Sequence, residues 1–208
     1  TDFLKTNWEW SKDEEKRIND IVINGKDTLV SLDSFFQSEK WFENYKWEVW
    51  KDLEPRIDYT QSLYKKYSEL WDKPLIGIGI RLGDFIGHGD FYQIDPDWYI
   101  SALETHFPNW EEENLVIIFS DDIKMAKEIF KAYNFQYAEP NNTQTHVDNF
   151  KHYHNDAAEQ FFLGTLCQHF IIGNSTFSWW QAWLMEQREI YAHQVTSPKV
   201  IHSGKVFS

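Results

Sequence analysis

Phe170-Ile171-Ile172-Gly173-Asn174-Ser175-Thr176-Phe177-Ser178-Trp179-Trp180 is the stretch that decides the fold. Its first three residues form a continuous apolar run closed by Gly173, which is the pattern of a buried strand. The residues beyond turn into an apolar helix. A strand that ends in small hydroxyl residues opening a helix builds a site for a phosphate. The first-turn N–H groups, the positive end of the macrodipole and the Ser175, Thr176 and Ser178 hydroxyls converge there. The commoner use of Ser or Thr at such a place is simply to cap the helix.

A second stretch adds weight to the phosphate reading. Ile76-Gly77-Ile78-Gly79-Ile80-Arg81 is an apolar run ending in an arginine, with Leu82-Gly83-Asp84 next. In an open α/β sheet, ligands sit beyond the carboxyl ends of the strands. An arginine there can hold a phosphate through two parallel charge-assisted hydrogen bonds. A parallel sheet would bring both strand ends to one crevice. The plain alternative is a tight turn with a local Arg81–Asp84 pair.

The pattern along the chain changes at Pro74. Before it, Ser11–Ile23 opens with a capping box and reads as a helix. Thr28–Leu32 reads as a short strand, and Ser38–Lys51 and Ile57–Trp71 as helices. After it, strands and helices alternate. Strands are expected at Leu75–Arg81, Leu115–Ser120, Phe170–Gly173 and Glu189–His193. Helices are expected at Asp97–His106, Ile123–Tyr133, Asn155–Gln168 and Phe177–Gln187. This alternation implies an α/β fold with a mostly parallel sheet flanked by helices. The expected division is 1–73, mainly helical, and 74–208, Rossmann-like.

Four segments resemble the alpha-1,2-fucosyltransferases, inverting enzymes that use GDP-fucose. They are Gln37-Ser38-Glu39-Lys40-Trp41-Phe42, Ile80-Arg81-Leu82-Gly83-Asp84-Phe85, Phe119-Ser120-Asp121-Asp122 and the long run from Leu166 to Leu184. The resemblance covers roughly residues 30–198, and the last segment is the most specific. It departs in places. The family's His before the arginine is Gly79 here, its second Arg is Leu82, and its acidic Glu-Asp pair reads Glu159-Gln160. The Gly-Leu-Gly-Asn-Gln segment that opens these enzymes is absent from the chain. The resemblance implies the C-terminal, donor-binding half of a GT-B glycosyltransferase with part of the acceptor half. It implies GDP-fucose as donor substrate, a galactose-containing glycan as acceptor, and neither metal nor cofactor.

The residues expected to hold the donor are Arg81, Gly83, Asp121, Asp122, Asn174, Ser175, Thr176, Phe177 and Ser178. Arg81 is also the expected electrostatic catalyst, facing the charge that grows on the departing GDP. An inverting transfer needs a general base. Asp84 is the first candidate, His88 on its Gly87-His88-Gly89 loop the second, and Asp90 the third. Asp121 and Asp122 also suit the N-terminus of the following helix. Two other classes remain open: a GDP-sugar-binding module without transfer, and a carbohydrate-binding protein using its aromatic residues.

Composition narrows the field further. The 208 residues are 42% hydrophobic, enough for a packed core, and carry a net charge of −13. That charge argues against nucleic acid or an anionic membrane as partner. An anionic sugar nucleotide would need local positive charge, which Arg81 offers. Arg56 reads as a loop residue and Arg188 as a helix C-terminal cation. Cys167 is the only cysteine. It reads as a buried small hydrophobe in an apolar helix, and no internal disulfide can form. Trp41, Trp47 and Trp50 fall near helical spacing, which favours a packed face. His146, His152 and His154, in the polar stretch Glu139–Asn155, fit no standard zinc spacing. No apolar run is long enough to span a membrane, and no signal peptide is read at Thr1. A bacterial or viral cytoplasmic enzyme, membrane-peripheral or not, is the expectation. A Golgi enzyme without its anchor stays open.

Overall fold

The computed structural model describes residues 11–24, 38–83, 85–87, 92–139, 152–191 and 198–203, with the backbone alone for 14, 21–24, 152–156 and 189–191. The chain divides into two compact units, Thr1–Leu53 and Glu54–Ser208.

In the first unit, helix α1 spans Lys12–Asn24. A 3-10 segment, Glu39–Tyr45, follows Ser38, whose Oγ accepts from the Lys40 N–H. Helix α2 spans Lys46–Leu53. The expected packed tryptophan face is only partly formed. Trp47 and Trp50 lie ring to ring at 5.2 Å, but Trp47 is exposed while Trp50 is buried. The strand expected at Thr28–Leu32 lies outside the described residues.

The second unit opens with α3 (Ile57–Lys66) and a 3-10 turn at Ser68–Leu70. Then come β1 (Leu75–Ile80), α4 (Pro96–His106), α5 (Trp110–Glu113), β2 (Leu115–Ser120), α6 (Ile123–Ile129) and β3 (Gln136–Tyr137). The run closes with α7 (His152–Gly164), β4 (His169–Ile172), α8 (Thr176–Tyr191) and β5 (Lys199–His202). The strand order is β3-β2-β1-β4-β5, and every pairing is parallel. This is the expected Rossmann-like sheet. The chain builds outward from β1 to β3, then returns to place β4 on the other side of β1. That reversal makes the β1/β4 boundary the topological switch point.

Strand β1 is buried along its whole length, as a central parallel strand must be. Its alternating side chains serve two cores. Ile76, Ile78 and Ile80 pack with Leu103 of α4 and Ala126 of α6. On the opposite face Leu75 packs with Ile117, Phe170, Leu163 of α7 and Met185 of α8. Gly77 and Gly79 belong to this second face. A Cβ on Gly77 would stand 2.6 Å from the Phe170 ring, and one on Gly79 would collide with the Ser178 hydroxyl. The glycines thus let Phe170 and the first turn of α8 settle directly onto the strand.

A polar tie joins α3 to α7 on this side. Lys66 Nζ lies 2.5 Å from Glu159 Oε1, and the Tyr67 hydroxyl donates to the same oxygen. Burial and the Glu159 carboxylate push the Tyr67 phenol far above its ordinary range, so it remains a donor.

Several expectations need correcting. Residues 189–191 continue α8, where a strand was expected from Glu189 to His193, and among the described residues the last strand is Lys199–His202. Helix α6 ends at Ile129, not Tyr133. Helix α7 runs His152–Gly164 instead of Asn155–Gln168, which puts Cys167 in the turn before β4. Cys167 is buried, and desolvation pushes its thiol up to about 12 against the opposing pull of Arg188. Arg188 Nη2 donates to the Cys167 carbonyl at 3.2 Å. Arg56, read as a loop residue, stands just before α3 at the N-cap position, makes no side-chain cap, and pairs with Asp58 at 2.9 Å.

Two outcomes are expected. Gly79→Ala should destabilise the protein by about 1–3 kcal/mol in urea unfolding, the cost of overpacking. Ser178→Gly in the same chain should recover part of that loss. Thiol reagents at pH 8 should leave the native chain unlabelled and modify Cys167 only after denaturation, because its thiolate is disfavoured while folded.

Candidate functional site

Three strand ends meet at the switch point. Strand β1 delivers Arg81, β2 delivers Asp121, and β4 delivers Gly173-Asn174-Ser175 into α8. A pocket of about 340 Å³ lies among them. Arg81, Asp121, Ser175, Phe177 and Ser178 line it, and Phe119, Ala157 and Gln160 form further wall.

The start of α8 is set by Ser175. Its carbonyl accepts from Trp179 N at 2.9 Å and its Oγ from Ser178 N at 3.4 Å. The capping reading therefore holds for the Ser175 hydroxyl. Capping and anion binding are compatible, because a helix start has several N–H groups without intrahelical acceptors. These groups carry the positive end of a sixteen-residue helix dipole. Asn174 is buried, and its Nδ2 donates to the Tyr92 carbonyl at 2.8 Å, tying the segment before α4 to this turn. Thr176 is the first residue of the helix and is half-buried.

On the β1 side, Arg81 Nε lies 3.3 Å from Asp121 Oδ2, and the guanidinium sits 5.8 Å from the Phe85 ring centre. Asp121 also accepts from the backbone N–H groups of Leu82 (2.9 Å) and Gly83 (3.0 Å). Asp122 has a different task. It is the N-cap of α6, accepting from Met125 N at 2.9 Å, and it does not line the pocket. Of the two neighbours expected to share the helix N-terminus, Asp122 caps it and Asp121 turns to the β1 loop.

The structure thus brings Arg81, Asp121, Ser175, Phe177 and Ser178 to one pocket. Gly83 reaches it only through Asp121, and Asn174 supports it from beneath. Asp84, His88 and Asp90 lie outside the described residues, as do the side chains of His146, His152 and His154. Phe119 belongs to the strand-end motif already singled out, whereas sequence reasoning did not place Ala157 or Gln160 in the site. Ala157 and Gln160 stand three apart on α7, the spacing of one helix face, which was the available signal.

Leu82 occupies the place of the family's second arginine. It is 1% exposed and packs in the core with Ile80 and Ile94. The crevice therefore takes its cationic side chain from Arg81 at this strand end.

A parallel α/β unit with a crevice at its switch point, walled by an arginine and a helix start, is the class of domain that takes its ligands beyond the carboxyl ends of the strands. The family model of glycosyl transferase family 11 matches residues 71–203, and the chain belongs to that family. An O-antigen biosynthesis glycosyltransferase, WbnK of Escherichia coli, is 35% identical over 109 residues, which are 50% of this chain and 32% of the relative. The chain thus spans about a third of the length of that curated relative. Two solved structures of POFUT1 are also similar. The complex with GDP-fucose has a TM-score of 0.48 at 17% identity, covering 92% of this chain and 59% of that one. The complex with GDP has a TM-score of 0.45 at 15% identity, covering 76% and 51%. At those scores the fold rests on the sheet itself. Among the described residues no helix is long and apolar enough to cross a membrane.

Ser175→Ala should cost about 0.5–2 kcal/mol in stability, the usual loss for an N-cap. Equilibrium denaturation of the variant against the wild type measures it.

Proposed function

We propose that the crevice binds the diphosphate of a GDP-sugar, and that the chain is the donor-binding part of an alpha-1,2-fucosyltransferase-like, inverting GT-B enzyme. The observation that carries this is the meeting of Arg81 and the N-terminus of α8 on one pocket at the switch point. Membership of glycosyl transferase family 11 supports sugar transfer as the reaction class. GDP-fucose as donor and a galactoside hydroxyl as acceptor follow from the motif resemblance set out above.

In this reading the acceptor oxygen attacks the anomeric carbon of fucose as the bond to the β-phosphate oxygen breaks. The acceptor proton passes to a base, for which Asp84, His88 and Asp90 are the candidates. GDP departs with added negative charge. The Arg81 guanidinium and the first-turn amides of α8 stabilise that charge as it develops. Phe119 and Phe177 give the pocket apolar wall beside this polar end. The reaction calls on no cofactor and no metal.

Calorimetric titration should show GDP and GDP-fucose binding, with UDP much weaker. Arg81→Ala should weaken GDP binding by about 1.5–3 kcal/mol, the scale of a hydrogen bond to a charged group. Arg81→Lys should rescue only in part, since an ammonium lacks the planar fork. Unchanged GDP affinity in a folded Arg81→Ala protein would falsify the shared phosphate site. GDP binding with no transfer to any galactoside selects the binding-module reading, and glycan binding without a GDP response selects the carbohydrate-binding one.

A further inference from the structure

The three contacts of Asp121 have a pattern of their own. One oxygen takes the Leu82 N–H at 2.9 Å. The other takes the Gly83 N–H at 3.0 Å and lies 3.3 Å from Arg81 Nε. A single carboxylate from the end of β2 thus spans three consecutive residues beyond β1. Gly83 is part of the arrangement, because a Cβ there would stand 2.5 Å from the same Asp121 oxygen. Across from the carboxylate, the buried Phe85 ring faces the guanidinium. Arg81 is held on its Nε side by charge and alongside an aromatic ring.

A carboxylate on the wall of an anion site is a liability unless it does something else. In a chain of net charge −13, Asp121 adds repulsion against any diphosphate in the pocket. Here its charge is met by two amides and the guanidinium. We propose that Asp121 is a positioning residue. It sets the orientation of the Arg81 side chain from its Nε side. Gly83 is the specific residue type that admits the carboxylate. The proposal rests on the GDP-site reading, and it separates from plain electrostatics by sign. Removing a negative charge beside a bound diphosphate should tighten binding. Releasing the arginine from its set orientation should weaken it.

The experiment is a double-mutant cycle on the full chain, with GDP titrated by calorimetry and folding checked by melting curves. Asp121→Asn keeps the size of the side chain, but it removes the charge that pairs with Arg81 and leaves one acceptor for the Leu82 and Gly83 amides. It should weaken GDP binding roughly fivefold or more when Arg81 is present, within the coupling expected of residues in direct contact. In the Arg81→Ala background the same change should leave GDP binding unaltered or tighter. Gly83→Ala, which crowds the carboxylate without removing it, should weaken binding by the same route and add little to Asp121→Asn. A second readout does not involve GDP. Exchange of the Arg81 Nε–H with solvent, followed by NMR, should be slow in the wild type and markedly faster in Asp121→Asn. Equal losses from Asp121→Asn with and without Arg81, or tighter GDP binding in the single variant, overturn the proposal. So does unchanged Nε–H exchange. If Arg81→Ala alone leaves GDP affinity intact, the GDP-site reading fails, while the exchange measurement still decides whether Asp121 holds the arginine.

Discussion

The close approach of the first turn of α8 to β1 is the constraint on which the rest depends. A parallel sheet needs its central strand covered on both faces. On one face the isoleucines of β1 reach out to α4 and α6. On the other, Gly77 and Gly79 withdraw, and Phe170 and Ser178 come in against the bare backbone. This contact sets the height of α8 above the sheet. It therefore sets where the amides of the first helical turn stand relative to the strand end that carries Arg81. In the proposed site, packing and anion recognition share one geometric requirement. The family's histidine position is a glycine in this chain, and the Ser178 side chain occupies the room that a side chain at residue 79 would need.

Much of this was legible in the sequence because burial is written in runs. Leu75–Ile80, Leu115–Ser120 and His169–Ile172 are nearly pure apolar stretches, and strands buried on both faces leave that mark. Strand β3, two residues long at Gln136–Tyr137, leaves no periodic signal. The segment Glu189-Ile190-Tyr191 has the composition of a short strand, yet it prolongs α8. A three-residue apolar run cannot distinguish the two states, and the helix already under way decides it. Cys167 lost its expected helix because α7 closes at Gly164, three residues before it.

The site was legible at the level of strand ends and less so at the level of roles. Arg81 and Ser175 could be placed together because both follow apolar runs in a parallel sheet. Nothing local to Asp121-Asp122 says which carboxylate turns to the helix and which to the neighbouring loop. That choice is made by the register of β1 against β2, which sets Ile80 opposite Ser120 and so brings Asp121 level with the residues after β1. Ala157 and Gln160 entered the pocket wall for the same kind of reason. Their place follows from how α7 packs.

The electrostatics of the crevice differ from those of the chain. A protein of net charge −13 repels a nucleotide diphosphate at long range, but that repulsion is screened beyond about 8 Å at physiological ionic strength. Inside the pocket the local balance decides. Arg81 and Asp121 nearly cancel as formal charges, and Leu82, buried in the core, adds none. What remains is directional: the orientation of one guanidinium and the oriented amides at the start of α8. Oriented dipoles need little reorganisation when charge appears on a leaving group, so they stabilise it more effectively than mobile surface cations. A glycine-lined strand that seats the helix and a carboxylate that seats the arginine are two parts of that same preorganisation.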